Sequence, residues 1–478
     1  MPPGLTSTEK AGSKAMRFGE KILLLTLGVF LLSVAGGPAR GQVAKEPTVP
    51  EPAPEIKEPA KERPVEPPGY FPGLLPPSTI GTIEAGPVSG LLAPYGNPAA
   101  YDNLLRGWRS HQAGKMTLVP FLEVAGQYRS NIFSTPADKQ SDFLTTIIPG
   151  LRAEMRVAEK HRLSLGYLGN AFIYSRFSNQ SHYDQNFNAD LALNPEGKMS
   201  VRFGNTLRLA TEERNSEFAV ERNYLRNTPY ITATYKLADR WKLEGNYQLD
   251  TLHFAKSADR FNDFNQHSAG ATLYYRFLPK TAVLAQYIFV YREYPYLPAD
   301  NTYSSSPLIG LSWDPTAKLS GNIKFGYTFA NYETSINGRN NSPDGWTLSA
   351  QLTYRYSRYT SLMVTGQRSF QQDPDFANAG YNNSGVWITL NHDWTKFRVF
   401  SYISFFYVNN SYLNPAPNAV GQIETRDDNL VGFGVGVSRP VTRWLNVRLA
   451  YSYVNRSSNF PGYGYNDNRV LGGIQASF

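Results

Sequence analysis

Covalent chemistry has few starting points in this 478-residue chain, which holds six histidines and no cysteine. Without a thiol, disulfides, thiolate–metal sites, thiol catalysis and a lipid-modified N-terminal cysteine are excluded. The residues nearest to a hydrolytic constellation are His253 and His267, which flank the segment 255–262, with Asp250, Asp263 and Ser268 close by. A serine nucleophile needs an imidazole within hydrogen-bond reach and a carboxylate or amide to orient it. On paired strands the two imidazoles would stand roughly opposite each other. Such constellations are loosely specified, and two imidazoles meeting water at a strand end is the preferred reading. His392 and Asp393, just before a turn at Thr395, read as a pair at the opposite rim. No Gly-x-Ser-x-Gly, His-Glu-x-x-His, phosphate-loop or calcium-loop pattern occurs, so no catalytic, metal or cofactor residue is assigned and the chain is not read as an enzyme.

A second chemistry is electrostatic. Arg152, Arg156, Arg202, Arg208, Lys242, Lys318, Lys324, Arg355 and Arg448 recur at one parity of alternating segments, against the acids Glu154 and Glu244. On the inside of a barrel these bases would line an electropositive pore, and a low-dielectric wall would focus their field on anionic solutes. The competing reading is that Arg and Glu on neighbouring strands pair and brace the wall.

The elements that would carry these residues have a period of two from residue 116 onward. In 318–329, Leu319, Gly321, Ile323, Phe325, Tyr327 and Phe329 alternate with Lys318, Ser320, Asn322, Lys324 and Thr328. Successive strand side chains face opposite ways, so such a run has one apolar and one polar surface. Residues 241–250, 346–355 and 445–452 repeat it. Each run is about ten residues, the length a tilted strand needs to cross a membrane, whereas soluble strands average about five or six. Tight turns near 159, 195, 239, 279, 315, 358, 396 and 440 alternate with longer polar segments such as 212–223, 333–344 and 409–428. That is the layout of outer-membrane barrels, with short periplasmic turns and long external loops. The expected fold is therefore all-β: a transmembrane antiparallel up-and-down β-barrel over 116–478 with about eighteen strands, or sixteen if the weak strands near 176–193 do not form. The loops 294–303 and 407–421, rich in Tyr, Asn and Pro, could stack on sugars.

Composition agrees. Charged residues make up 18% of the chain, against about a quarter in soluble domains, while Tyr (31) and Phe (27) are abundant. After the first forty residues no apolar run approaches the roughly 18 needed for a membrane helix. The N-terminus reads as an export signal over 1–41: Lys10, Lys14, Arg17 and Lys21 precede an apolar stretch over 22–35, and Ala39 and Gly41 suit cleavage before Gln42. Met16 would make a more ordinary start. Removing 1–41, with five basic and two acidic residues, lowers the net charge from +8 to +5; the remaining chain is mildly basic and no nucleic-acid partner is expected. Residues 42–77 mix Pro with Glu and Lys, as in Glu51-Pro52-Ala53-Pro54-Glu55, which favours an extended, disordered periplasmic linker. Residues 78–115 are a lead-in that could act as a weak plug or belt.

The chain stops on Val470-Leu471-Gly472-Gly473-Ile474-Gln475-Ala476-Ser477-Phe478, an alternating strand ending in an aromatic residue. Here the sequence resembles bacterial outer-membrane β-barrel proteins. That resemblance implies that Phe478 is the signal read by the barrel-assembly machinery, and that the protein sits among outer-membrane lipid. Gly126-Gln127-Tyr128-Arg129-Ser130-Asn131-Ile132-Phe133 resembles the opening strand of β-barrel porins associated with exopolysaccharide gene clusters. The implied function is a porin for export or surface attachment of an acidic polysaccharide; a general diffusion porin, a barrel enzyme and an adhesion scaffold are the alternatives.

Overall fold

The computed structural model describes residues 111–213, 221–314, 317–336, 339–372, 380–418 and 421–477. The export signal, the Pro-rich linker, nearly all of the lead-in and Phe478 lie outside the described residues. The first strands are β1 (His111–Ala113), β2 (Met116–Arg129), β3 (Asp142–Val157), β4 (His161–Tyr174), β5 (His182–Leu193) and β6 (Met199–Glu212). They are followed by β7 (Arg222–Lys236), β8 (Trp241–Phe254), β9 (Phe264–Leu278), β10 (Thr281–Glu293), β11 (Thr302–Trp313) and β12 (Leu319–Tyr332). The last are β13 (Gly345–Arg355), β14 (Thr360–Gln371), β15 (Tyr381–Trp394), β16 (Val399–Pro417), β17 (Ile423–Pro440), β18 (Leu445–Ser458) and β19 (Tyr465–Ser477).

Each strand from β2 to β19 pairs antiparallel with the next, and β19 returns to β2 from Arg469↔Arg129 to Ser477↔Phe121. This closes a barrel of eighteen strands. Closure is what hydrocarbon demands, since no water is present to satisfy a free strand edge. Strand β1 adds His111↔Leu118 to Ala113↔Met116 on the part of β2 that β19 does not reach. The weak strands near 176–193 do form: β5 pairs with β4 and β6 along nearly its whole length.

Eight connections on one rim are two to five residues long, and those on the other run from five to twelve. The tight turn between β3 and β4 places Ala158 and Glu159 at φ of 47° and 61°, the left-handed pair that matches hairpin twist. Prolines interrupt the ladder in a regular way. The pairing of β3 with β4, β7 with β8 and β11 with β12 skips a step at Pro149, Pro229 and Pro307, which have no N–H to donate.

Paired residues share a face, so the register carries one parity around the ring. Tyr128, Phe143, Ile173, Trp241, Phe325, Phe405 and Val470 face outward and are exposed, as a lipid-facing surface requires. Polar residues of the other parity, such as Glu123, Gln248, Asp250, Asp428 and Asp467, face inward and are buried. One expectation is corrected. Residues 409–428 are not a long loop, because β16 and β17 extend as a hairpin to Pro417↔Ile423 across an irregularity between Ser411 and Pro415. Beyond Tyr412 the other edge of β16 has no partner from β15, and an edge strand tolerates Pro415 and Pro417.

Candidate pore lining and outer mouth

The inward parity includes Arg152, Arg156, Arg202, Arg208, Lys242, Glu244, Lys324, Arg355 and Arg448. Several are engaged with carboxylates of the wall. Arg152 pairs with Glu154 at 2.5 Å and Arg202 with Asp190 at 2.6 Å, where Tyr230 also donates its hydroxyl at 2.5 Å. Lys242 lies 3.6 Å from Glu244 and 3.8 Å from the Tyr274 ring centre. Arg448 pairs with the fully buried Glu123. Lys324 donates to Gln286 Oε1 at 3.1 Å, and Arg355 to Ser320 Oγ at 2.9 Å. Lys318 precedes β12, and its ammonium lies over the rings of Tyr354 and Tyr356 at 5.3 and 5.8 Å. Among the described residues Arg156 and Arg208 have no carboxylate within ion-pair distance; they stand opposite Arg162 and Arg226.

The densest charge cluster lies nearer the long-loop rim and was not singled out from the sequence. Asp428 accepts from Arg456 at 2.6 Å and from Arg426 at 2.9 Å. Arg426 is held between the rings of Tyr463 (3.5 Å) and Tyr412 (4.6 Å), a cation–π arrangement that fixes its plane. Asp467 accepts from Arg469 Nε at 2.6 Å and from the Asn131 backbone N–H at 3.0 Å, with Arg129 Nε at 3.5 Å. Arg129 also reaches Glu213 at 2.9 Å, to which Tyr174 donates at 2.7 Å. Glu213 ends the described part of β6's outer connection, so this contact ties that connection to the wall at β2. Burial alone would push the Glu213 carboxyl up; Arg129 and the Tyr174 hydroxyl outweigh it and hold the group at about 2. On another part of the rim Arg339 pairs with Asp300 at 2.6 Å and covers Tyr332 at 3.8 Å. A signal was present in the i, i+2 repeats Arg426–Asp428 and Asp467–Arg469; reading 409–428 as a loop hid the first.

Below this cluster one sector of the lumen is aromatic and smooth. A Cβ on Gly432 would fall 1.9 Å from the Phe406 ring, one on Gly436 2.3 Å from Tyr402, and one on Gly385 2.4 Å from Trp387. The three rings therefore occupy the space of absent inward side chains and lie along the wall instead of standing across the channel. Val408, Leu430 and Val454 pack around Phe406, with Trp387 and Tyr465 half-buried at the margin. Toward the outer rim, Tyr381 and Tyr412 follow with ring centres 5.0 Å apart.

The histidines do not converge on one site. The last rung between β8 and β9 is Leu252↔Phe264, which places His267 opposite Leu249 and not opposite His253. The register differs because residues 257–262 form a short 3-10 turn that takes up most of the connection. His253 Nδ1 meets Asp263 at 2.6 Å, and His267 Nδ1 meets the Tyr247 hydroxyl at 2.8 Å, both on the outward parity. Asp250 and Ser268 face inward, and Asp250 is taken by Arg226 at 2.7 Å. His392 contacts Thr360 Oγ1 at 2.8 Å near the short-turn rim. Of the loop tyrosines, Tyr294 is buried with its hydroxyl on Gln372 at 3.0 Å. Tyr407 sits on the lipid-facing parity of β16.

A closed eighteen-strand barrel with an apolar exterior, short turns on one rim and a charged, polar interior defines an outer-membrane protein of the porin type. The chain belongs to the family described as putative β-barrel porin 2, whose model matches residues 110–478. Among solved structures it is similar to the outer membrane protein OpdK of Pseudomonas aeruginosa, at 12% identity over 76% of this chain and 99% of that one, with a TM-score of 0.42. OccAB4 of Acinetobacter baumannii matches at 11% identity over 77% and 99%, with a TM-score of 0.44. A bacterial polysaccharide outer membrane secretin matches at 12% over 75% and 98%, with a TM-score of 0.35. No curated relative matches the sequence.

Proposed function

We propose that the barrel conducts an acidic polysaccharide or its fragments, serving export or surface attachment. The observation that carries this reading is the lumen sector from β15 through β19 to β2. There the rings of Trp387, Tyr402, Tyr381 and Tyr412 run toward the guanidiniums of Arg426, Arg456, Arg469 and Arg129. Pyranose rings present apolar C–H faces that stack on such aromatics, and four guanidiniums against the three carboxylates Asp428, Asp467 and Glu213 leave a net positive charge that attracts uronates. An anion-selective lumen follows from the excess of inward bases, and the reversal potential in a salt gradient measures it.

Planar-bilayer recordings test the reading directly. An oligomer of uronic acid added to one side should interrupt the ion current at lower concentration than a neutral glucose oligomer of equal length. Equal block by both, or cation selectivity, would refute it. The extensive pairing of wall charges favours a second reading, a general diffusion porin bracing its wall with ion pairs. A deletion strain with normal surface polysaccharide but reduced uptake of small solutes would decide for that alternative.

A further inference from the structure

Among the described residues, Arg368 is the one arginine or lysine on the outward parity of the barrel that stands away from the last two residues of its strand. Its register partners are Leu348 of β13 and Ser384 of β15, both on the lipid-facing side. Gln367 and Ser369 on either side of it face inward; Ser369 is buried and Gln367 donates to Asn383 at 2.6 Å. Arg368 lies three residues from the outer end of β14 at Gln371, roughly 10 Å at strand spacing. That is the zone where Trp346, Tyr327 and Phe329 form the exposed aromatic band of neighbouring strands.

A guanidinium facing hydrocarbon is unfavourable unless it reaches the interface or an anion. Here it is held and not free to reach outward. Its plane sits over the Trp346 ring, 4.4 Å from the centre, and Nη1 donates to Ser384 Oγ at 2.8 Å. The Nε hydrogen has no partner and is buried. The fork is thus fixed by an aromatic face and a hydroxyl, with donors left over and, among the described residues, no carboxylate paired with it. We infer that Arg368, backed by Trp346 and Ser384, binds the phosphate of a glycolipid headgroup in the outer leaflet. Long loops mark that rim as external, and planar guanidinium donors suit phosphate oxygens. The inference rests on the lipid-facing surface alone and is independent of what passes through the lumen.

The test uses the full chain refolded in detergent and presented with diphosphorylated lipid A or its dephosphorylated form, with bound lipid counted by native mass spectrometry. The wild type should retain the phosphorylated lipid at least five-fold more than the dephosphorylated one. Arg368→Gln should abolish that preference, and Arg368→Lys should keep part of it. Trp346→Leu, which leaves the charge in place, should weaken it, and this variant carries the comparison if Arg368→Gln does not refold. Full preference in Arg368→Gln, or equal retention of both lipids by the wild type, would overturn the inference. So would displacement of the lipid by inorganic phosphate at the same phosphate concentration, which would mark a site for the free anion.

Discussion

Glu213 offers the sharpest test of how the outer mouth is held. Its carboxyl stands at about 2 against an ordinary 4.5, and at about 1.36 kcal/mol per pH unit the difference corresponds to about 3 kcal/mol favouring the docked, ionised form. With 35% of its side chain exposed, water screening reduces this to about 1–2 kcal/mol, a roughly 5- to 30-fold bias toward the docked contact. Because the docked carboxyl is depressed, the stabilisation is fully present above about 4.5 and is lost as the pH falls toward 2. Glu213→Gln should remove it at neutral pH, leaving Arg129 with Asp467 as its carboxylate and the Ile132 carbonyl. Amide hydrogen exchange of the detergent-refolded protein around residues 211–213, corrected for intrinsic rates, measures both effects. Protection in the wild type should hold at pH 7 and pH 5 and fall between pH 4.5 and 2; in Glu213→Gln it should already be 5- to 30-fold lower at pH 7 and flat below. Equal protection in the two proteins at pH 7, or a wild-type loss centred near pH 6, would refute the assignment.

Asp428→Asn leaves Arg426 and Arg456 side by side with their buried counter-charge removed, and should destabilise the barrel by about 3–5 kcal/mol in urea unfolding from lipid vesicles. Gly432→Val puts a side chain where the Phe406 ring now lies; about 1–3 kcal/mol of stability should be lost, and a ring displaced into the lumen should lower single-channel conductance. Removing Phe478, which the alternation of the sequence assigns to the same face as Val470 and Ile474, is expected to forfeit about 2 kcal/mol of apolar burial. The refolded variant should stay heat-resistant on a gel while its level in the outer membrane falls, because the assembly machinery is expected to read the terminal strand before closure.

Strand number and facing were legible because membrane strands obey one rule along their whole length: an outward apolar residue at every second position. Residues 318–329 show the rule cleanly, and the face it assigned to Lys324 is the face the register gives. It is weakest at the water-exposed ends. Residues 409–428 carry Asn, Ser, Pro and Asp whether they form a loop or a hairpin above the bilayer, since no lipid constrains their outward side. The histidine register failed for a related reason: a compact turn and an open loop of the same length leave the strands four residues apart in phase, with His267 opposite Leu249 and not His253.

Ion partners are a different kind of information. Parity says that Arg129 faces inward, but its contact with Glu213, 84 residues away, depends on how far an outer connection folds back over the wall, which no local pattern encodes. Arg368 shows the converse. Its segment, Thr365-Gly366-Gln367-Arg368-Ser369-Phe370, alternates too weakly to assign a face, and only pairing with Leu348 and Ser384 turns the charge toward lipid. The same logic separates bracing from function in the lumen. Pairs such as Arg202–Asp190 and Arg226–Asp250 join strands at or near direct contact and are spread along the wall, so removing one should weaken that part of the barrel without changing what the channel prefers. Under the proposed function selectivity would rest instead on the aromatic sector, where Trp387 and Tyr402 fill the space that Gly385 and Gly436 leave. The same exchange braces the wall elsewhere, with Phe121 over Gly150 and Tyr230 over Gly204; what distinguishes this sector under the proposed function is that Trp387 and Tyr402 stay part-exposed while Phe406 is fully buried, so those two rings are where a sugar should be sought first.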